Sequence, residues 1–501
     1  MTQIHTEVIA AQRQYALRAL SQSLGLVVPE AFVRGIRHLG YRTNVEAIAE
    51  LVDNSIQAYA ETVDIVFGYD ADESTRKPTH LAIVDDGHGM DPDMLRFAMM
   101  WGGTHRENDR HGLGRFGYGL PCATVSMGRR FTIYSKTRGA PLYAVTLDLD
   151  SIDAGNADAE HEVTIPAAER AELPHFLHDA IGRAYPGGWQ SGTVIVIDKL
   201  DRLDWTTSAG LRRNLVRQFG VAYHKLLRAT RVHVDGEQVR PIDPLFLDPD
   251  ADLHDLDEDR AIALDPVIVR IEGDEGRVGE VMLRYAWLPP SFAATDKTRD
   301  AIGINANTRF PIIKQYHGIN FSRNGRLVDV QSRTPWTIFI NNDRYIRIEI
   351  EFSATLDEAF GVTTSKQQVS VSPEMWDRLR GAGLHKAIEH LRAKVRSAKA
   401  ERPTRELQAI TFLAPTAAPR GVAAADALRV LLDEIERRAS IATPALRTEY
   451  RELLSGWSKR LAGNTAGSPQ YDSGRSNTRW RETTGIGIAG ARPRSGGGVD
   501  E

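Results

Sequence analysis

Apolar positions crowd most tightly between Asn44 and Tyr59. Ala47, Ile48, Ala49, Leu51, Val52, Ser55, Ile56 and Ala58 are apolar or small. Wound at helical pitch, Glu46, Glu50, Asp53, Asn54 and Gln57 fall instead within an arc of roughly 100°. The pattern predicts a helix buried on most sides with one polar stripe. Buried carboxylates and amides need partners. Glu50 and Asn54 are four residues apart, one turn along the same face. A carboxylate there can take a proton from water, and an amide oxygen can ligate a hard cation. The same stripe could also be a seam against a neighbouring domain, and on this helix alone the two readings balance.

The pattern continues as strands with interspersed helices. Thr62–Phe67 alternates, His80–Val84 is an apolar run, and Asp91-Pro92 opens a helix through Met100 with Asp91 as its cap. Trp101–Arg110 is polar with glycine hinges, Tyr118–Met127 is helical, Arg130–Lys136 and Leu142–Asp148 pair as strands, and Gly192–Asp198 is a buried strand. This predicts an α+β sandwich, a mixed sheet with helices on one face, over residues 1–204. A second α/β domain is expected over 205–400. It holds a helix at 211–229, a strand and turn at 231–236, and strands at 281–287, 318–322, 327–330 and 344–352. A long helix follows from Pro373 to about Ala400. Asn324-Gly325 marks a hairpin between two of these strands. Residues 401–423, with Pro403, Pro415 and Pro419, read as a linker, and 424–462 as a helical hairpin. Residues 463–501 are rich in Gly, Ser, Thr and Arg and read as disordered. The first reading of this stretch is a solvated tail with no fixed role; the second is that its arginines, with Trp480, touch nucleic acid by charge and stacking.

Composition narrows the classes. Of 501 residues 42% are hydrophobic and 26% charged, ordinary for a globular protein, and a net charge of −4 gives no global field that attracts nucleic acid. No apolar run reaches membrane-spanning length, and the N-terminus lacks a basic segment followed by an apolar one, so neither a membrane span nor a signal peptide is expected. Cys122 is the only cysteine, which excludes an intramolecular disulfide and a cysteine metal cluster and suits a cytoplasmic location. Among Leu120, Pro121 and Ala123 it reads as a packed thiol. Asp248–Asp259 holds seven acidic residues without the glycine of a calcium loop, so it reads as a solvated loop.

Two further blocks decide between the readings of the first helix. Ala82-Ile-Val-Asp85-Asp-Gly87-His-Gly89-Met90 ends an apolar strand in a carboxylate and two glycines. His111-Gly-Leu-Gly114-Arg-Phe-Gly117-Tyr-Gly119-Leu120 is a glycine-rich run opening a helix. In this order and at these distances the three blocks resemble the N box, the Asp-x-Gly-x-Gly motif and the lid motif of the GHKL ATPases. That superfamily includes gyrase, the 90-kDa heat-shock chaperones, histidine kinases and MutL. Ala49–Ala58 and the later blocks are most similar to the Microrchidia (MORC) type.

The resemblance implies a Bergerat-type ATP-binding sandwich followed by a transducer-like domain, with ATP and Mg²⁺ as ligands. It implies Glu50 as the base that deprotonates water, since the family's base precedes the amide by four residues and so excludes Glu46. It implies Asn54 as the magnesium ligand, and Asp85 as acceptor for the adenine amino group. Gly87, Gly89 and Met90 would surround the base, and the Thr193 hydroxyl would support the adenine contact. Gly114, Gly117 and Gly119 would offer backbone N–H groups to phosphates. Lys366, in a Thr-Thr-Ser-Lys-Gln-Gln turn, would reach back to the γ-phosphate. Asp53 reads as a secondary contact and Asp86 as exposed. The activity implied is ATP hydrolysis driving a nucleotide-gated homodimeric clamp, with DNA or a protein as candidate partner. An N-terminal segment reaching across to the other protomer is likewise a family implication. Two rivals stand. A histidine kinase needs a long helical hairpin bearing its histidine, and neither His5 nor His38 lies on one. A chaperone-like or adaptor protein using ATP as a conformational ligand is disfavoured by the joint presence of Glu50 and Lys366.

Overall fold

In the computed structural model the striped segment is a helix, Asn44–Gln57 (α1). The structure describes residues 40–413 apart from 71–75, 104–112, 114–116, 155–164, 206, 257–258, 273–277, 293–306 and 363–367, together with residues 14, 32 and 34–37. The Thr43 hydroxyl caps α1 by accepting the Glu46 N–H at 3.3 Å. Asp204 Oδ2 accepts the Asn44 N–H at 2.6 Å, a second anchor for the helix start.

Eight strands form the first sheet, in the order β5-β4-β3-β6-β2-β1-β7-β8. They are Thr62–Gly68 (β1), His80–Asp85 (β2), Gly128–Lys136 (β3), Tyr143–Asp148 (β4), Glu169–Arg170 (β5), Gly192–Leu200 (β6), Arg231–Val234 (β7) and Glu237–Gln238 (β8). Only β1 and β7 pair in parallel. The sheet therefore takes in two strands from beyond residue 204. Pro92–Phe97 (α2), capped by Asp91, is shorter than its expected run to Met100. Gly119–Met127 (α3) and Ser208–Ala222 (α4) join α1 on one face, where Ile48, Leu51, Val125, Leu215 and Phe219 are fully buried. The opposite face is covered as well: Val66, Val84, Val194 and Val196 pack under Leu177 and Trp189, beside the short helix His178–Ala184. The mixed sheet with its helices is an α+β architecture, and the second covered face is an addition to the expected one.

The second sheet has five strands in the order β12-β11-β15-β10-β9. They are Ile262–Glu272 (β9), Val278–Trp287 (β10), Ile319–Arg323 (β11), Arg326–Gln331 (β12) and Ile346–Phe352 (β15). A small ribbon, Arg333–Thr334 (β13) with Thr337–Ile338 (β14), intervenes. Strand β9 lies outside the expected set. Arg344 falls in a 3-10 turn, Asn341–Tyr345, rather than at the start of β15. Asn324 (φ 48°) and Gly325 (φ 81°) form the β11–β12 turn, the double positive φ of the hairpin type that Asn-Gly favours. The single long helix expected after Pro373 is two: Pro373–Gly381 (α5) and Leu384–Leu413 (α6). Gly383, at φ 96°, ends one and lets the next begin. Helix α6 runs through Pro403 into the stretch expected as a linker. The expected helices over 424–462 and the expected disorder over 463–501 lie outside the described residues. No described helix is long and apolar enough to cross a membrane.

Candidate functional site

Register brings one end of the site together. Val84 pairs with Val194 across β2 and β6, and Ser135 pairs with Thr193 across β3 and β6. Asp85, the last residue of β2, therefore lies beside Thr193. It is 4% exposed. Its Oδ1 accepts the N–H groups of Gly87 at 3.0 Å and Thr193 at 3.1 Å, and its Oδ2 accepts the Ser55 hydroxyl of α1 at 2.9 Å. Burial pushes the carboxyl up to about 6, against the pull of these three donors. A carboxylate has about four lone-pair directions, so room is left on Oδ2 for one more N–H donor.

The floor around Asp85 is backbone held by side chains. Trp189 Nε1 donates to the Asp85 carbonyl at 2.8 Å. Ser135 Oγ accepts the Met90 N–H at 2.9 Å and lies 3.0 Å from the Thr193 hydroxyl. Thr193 thus reaches Asp85 through its amide, and its hydroxyl is engaged by Ser135. Gly89 has φ 68°, and a Cβ there would lie 1.9 Å from the Lys136 carbonyl oxygen, so only glycine fits. The His88 N–H donates to the Ala58 carbonyl at 3.0 Å, which ties this loop to the end of α1. Asp86 is half-buried rather than exposed: its Oδ1 accepts the N–H groups of Glu61 and Thr62 and fixes the entry to β1.

The other end lies between α1 and α3. Glu50 is 4% exposed and faces the start of α3 so closely that a Cβ on Gly119 would lie 2.1 Å from Glu50 Oε1. Gly119 is space for that carboxylate. Tyr41 Oη is 3.4 Å from the Gly119 carbonyl, and burial, reinforced by the charge of Glu50, raises its phenol well above the ordinary range. Burial also pushes the Cys122 thiol up to about 11, with Glu50 adding to the shift, so the half-buried thiol stays protonated. Gly117, at φ 69°, accepts the Gly102 N–H on its carbonyl at 3.1 Å. Asn54, one turn beyond Glu50, is half-buried and makes no side-chain hydrogen bond among the described residues. Asp53, on the same stripe, is engaged from the second sheet: it is fully buried, 2.9 Å from the Tyr223 hydroxyl and 3.0 Å from Arg326 Nε of β12. It is thus part of a packing seam. Gly114 and Lys366 lie outside the described residues.

The structure therefore gathers Asp85, Gly87, Gly89, Met90 and Thr193 at one end of α1 and places Glu50 against Gly119 at its middle, with Gly117 two residues before it in the chain. Ser55 is the link between the two. The sequence of residues 41–182 matches the family model of histidine kinase-, DNA gyrase B- and HSP90-like ATPases. Residues 41–182 are a GHKL domain. The chain is also similar to Protein MICRORCHIDIA 6 of Arabidopsis thaliana, at 31% identity over 90 residues, 18% of this chain and 13% of that protein. It is similar to the DNA mismatch repair protein MutL of Halobacterium salinarum, at 33% over 141 residues, 27% of this chain and 20% of that protein. The matched stretches thus span a fifth or less of these relatives. The domain's likeness to MORC proteins and MutL agrees with the three sequence blocks. Ser55, Ser135, Trp189, Tyr41 and Tyr223 were not singled out by those blocks. Of these only Ser55 lies inside one of the blocks, among the apolar or small positions of α1.

The donor set of the GHKL domain fits a purine nucleotide with a hard cation. A buried acceptor with one lone pair to spare suits an exocyclic amine. Among the described residues no three His, Cys, Asp or Glu side chains converge, so Asn54 would hold Mg²⁺ as one amide ligand beside phosphate oxygens and waters.

Proposed function

We propose that this protein binds ATP with Mg²⁺ and hydrolyses it. The observation that supports this most is the single-helix geometry: α1 carries Glu50 and Asn54 on one stripe while Ser55 ties the same helix to Asp85. A nucleotide bound by its base at Asp85 would then have its phosphates along the polar stripe and the N-terminus of α3. Asp85 accepts the adenine amino group and so selects adenine over guanine. The N–H groups at Gly117 and Gly119 hold phosphate oxygens, together with those of Gly114. When bound, Mg²⁺ neutralises phosphate charge and orients the triphosphate. Asn54 supplies its protein ligand. Glu50, in its dry setting against Gly119, orients the attacking water and takes its proton. Lys366 reaches the γ-phosphate from the transducer-like region over 205–400 and couples its docking to chemistry.

At the level of the whole chain, we read a homodimeric clamp in the cytoplasm, closed by ATP and released by hydrolysis, acting on DNA or on a protein partner. Turnover by the purified protein is the direct test. Glu50→Ala is expected to keep ATP binding while turnover falls about 10²-fold or more, the scale of a lost general base. Asn54→Ala should lose the Mg²⁺ dependence of binding. Wild-type turnover in Glu50→Ala removes that residue as base. Binding without any turnover in the wild-type protein leaves ATP as a conformational ligand, as in an adaptor.

A further inference from the structure

Arg326 is the first residue of β12, directly after the Asn324-Gly325 turn, and belongs to the second sheet. Its side chain is 7% exposed and lies against α1, with Nε 3.0 Å from Asp53 Oδ1. Asp53 is fully buried and also meets Tyr223, whose hydroxyl is 2.9 Å from Asp53 Oδ1 and 2.8 Å from the Ala49 carbonyl oxygen. That hydroxyl has one proton, so it serves one acceptor at a time. The guanidinium sits over the Tyr223 ring at 5.6 Å. Ala49 and Asp53 bracket Glu50 on the helix, and Asp53 stands one turn from Glu50 on the same face.

This pair is a poor device for stability. A buried ion pair seldom outperforms a well-packed apolar pair. Here Arg326 Nε and Nη1 make no hydrogen bond despite being buried. Burial opposes the charge on Arg326, but Asp53, Tyr223 and Glu50 together outweigh it and raise the group above the ordinary arginine range. The cation therefore interacts with both carboxylates of the stripe. The neighbouring Arg323 of the same hairpin binds Asp357 through both ends of its fork and donates to the Leu113 carbonyl at 3.3 Å. One hairpin thus touches the stripe of α1 and a residue of the glycine-rich block.

We propose that Arg326 is a positioning residue for ATP hydrolysis: from the second sheet it holds Asp53 and, through that turn of α1, sets the place of Glu50. The inference rests on the ATPase reading above. It differs from a contact to nucleotide in its consequence, because Arg326 acts on the rate of the chemical step and leaves the base and phosphate contacts alone.

The test compares full-length wild type with Arg326→Met, Arg326→Lys and Tyr223→Phe. Titration with a fluorescent ATP analogue reads affinity, single-turnover hydrolysis reads the chemical step, and urea unfolding reads the fold. In Arg326→Met hydrolysis should slow about ten- to a hundredfold, the cost of slightly misplacing a reacting group, while nucleotide affinity stays within about threefold. Arg326→Lys should recover part of the rate by restoring the charge. Tyr223→Phe should show the same split to a smaller degree. Wild-type single-turnover rate in folded Arg326→Met, or a loss of affinity as large as the loss of rate, overturns the proposal. If Arg326→Met does not fold, Tyr223→Phe decides, and an unchanged rate there overturns it. Failure of the ATPase reading is distinguishable, since it shows as absent turnover in the wild-type protein before any substitution.

Discussion

Asp85 is held by three donors and yet sits in so dry a place that its carboxyl titrates near 6. Its folded-state value lies above the unfolded one of 3.8, so burial of this group favours the folded state most below pH 3.8 and progressively less up to about 6. A bound N–H donor favours the ionised form. Nucleotide affinity should therefore fall as the pH drops through about 6, measured by calorimetry between pH 5 and 7.5. Asp85→Asn should weaken ATP binding by about 1.5–3 kcal/mol and flatten that pH profile. Gly119 makes a different demand. Its backbone is helical, so alanine is conformationally acceptable there, but its Cβ would occupy the position of Glu50 Oε1. Gly119→Ala should unfold within about 1 kcal/mol of wild type and lose turnover about 10²-fold, because it displaces the carboxylate and not the fold. A parallel loss of stability would show that Glu50 has no room to yield.

Among the elements, α1 was legible because its polar stripe is narrow and its other faces are apolar. Both readings of that stripe apply, at neighbouring residues: Asp53 faces the second sheet as a seam, whereas Glu50 meets the glycine-rich block. Sequence spacing could not assign them, because the difference depends on Arg326, whose chain position is remote. The Asn324-Gly325 turn was legible from local chemistry alone. Strand β9 was missed because Asp265-Pro266 interrupts its alternation, and the α5–α6 break was missed because Gly381, Ala382 and Gly383 look like a tolerated small-residue patch in a long helix. The charged cluster behind β15 was also invisible to pattern. Glu349 is completely buried, with Lys225 Nζ at 2.7 Å, the Ser322 hydroxyl at 2.7 Å and Arg284 Nε at 2.6 Å. Burial alone would raise its carboxyl, but Lys225 and Arg284 hold it down to about 2. A lowered value means stability present above the unfolded 4.5 and lost as the pH falls toward 2. Glu349→Gln should destabilise the protein by about 3–5 kcal/mol at neutral pH, by urea unfolding, with the gap narrowing below pH 4.5.

For the whole molecule, Lys225, which closes the turn after α4, binds Glu349 and also Glu351 at 2.8 Å, so the helix layer of the first sheet is fastened to the second sheet by charge as well as by Arg326. A body fastened in this way transmits a shift at α1 to β12 with little slack. If ATP closes two such bodies on each other, sedimentation of the full chain should show a larger mass with a non-hydrolysable ATP analogue than with ADP, since a ligand shifts an equilibrium only by its differential affinity for the two states. Equal mass with either nucleotide removes nucleotide-gated association. The far edge of the second sheet has a separate consequence. Among the described residues β9 pairs with β10 alone, and its Ile262 and Ile268 are exposed. Such an edge invites fibril-like stacking between molecules. Two features blunt it: Asp265 and Pro266 together face the single Arg284 as a bulge, and Pro266 has no N–H to offer an incoming strand. The residue pair that hid β9 from pattern reading thus also serves the protein's colloidal safety at high concentration.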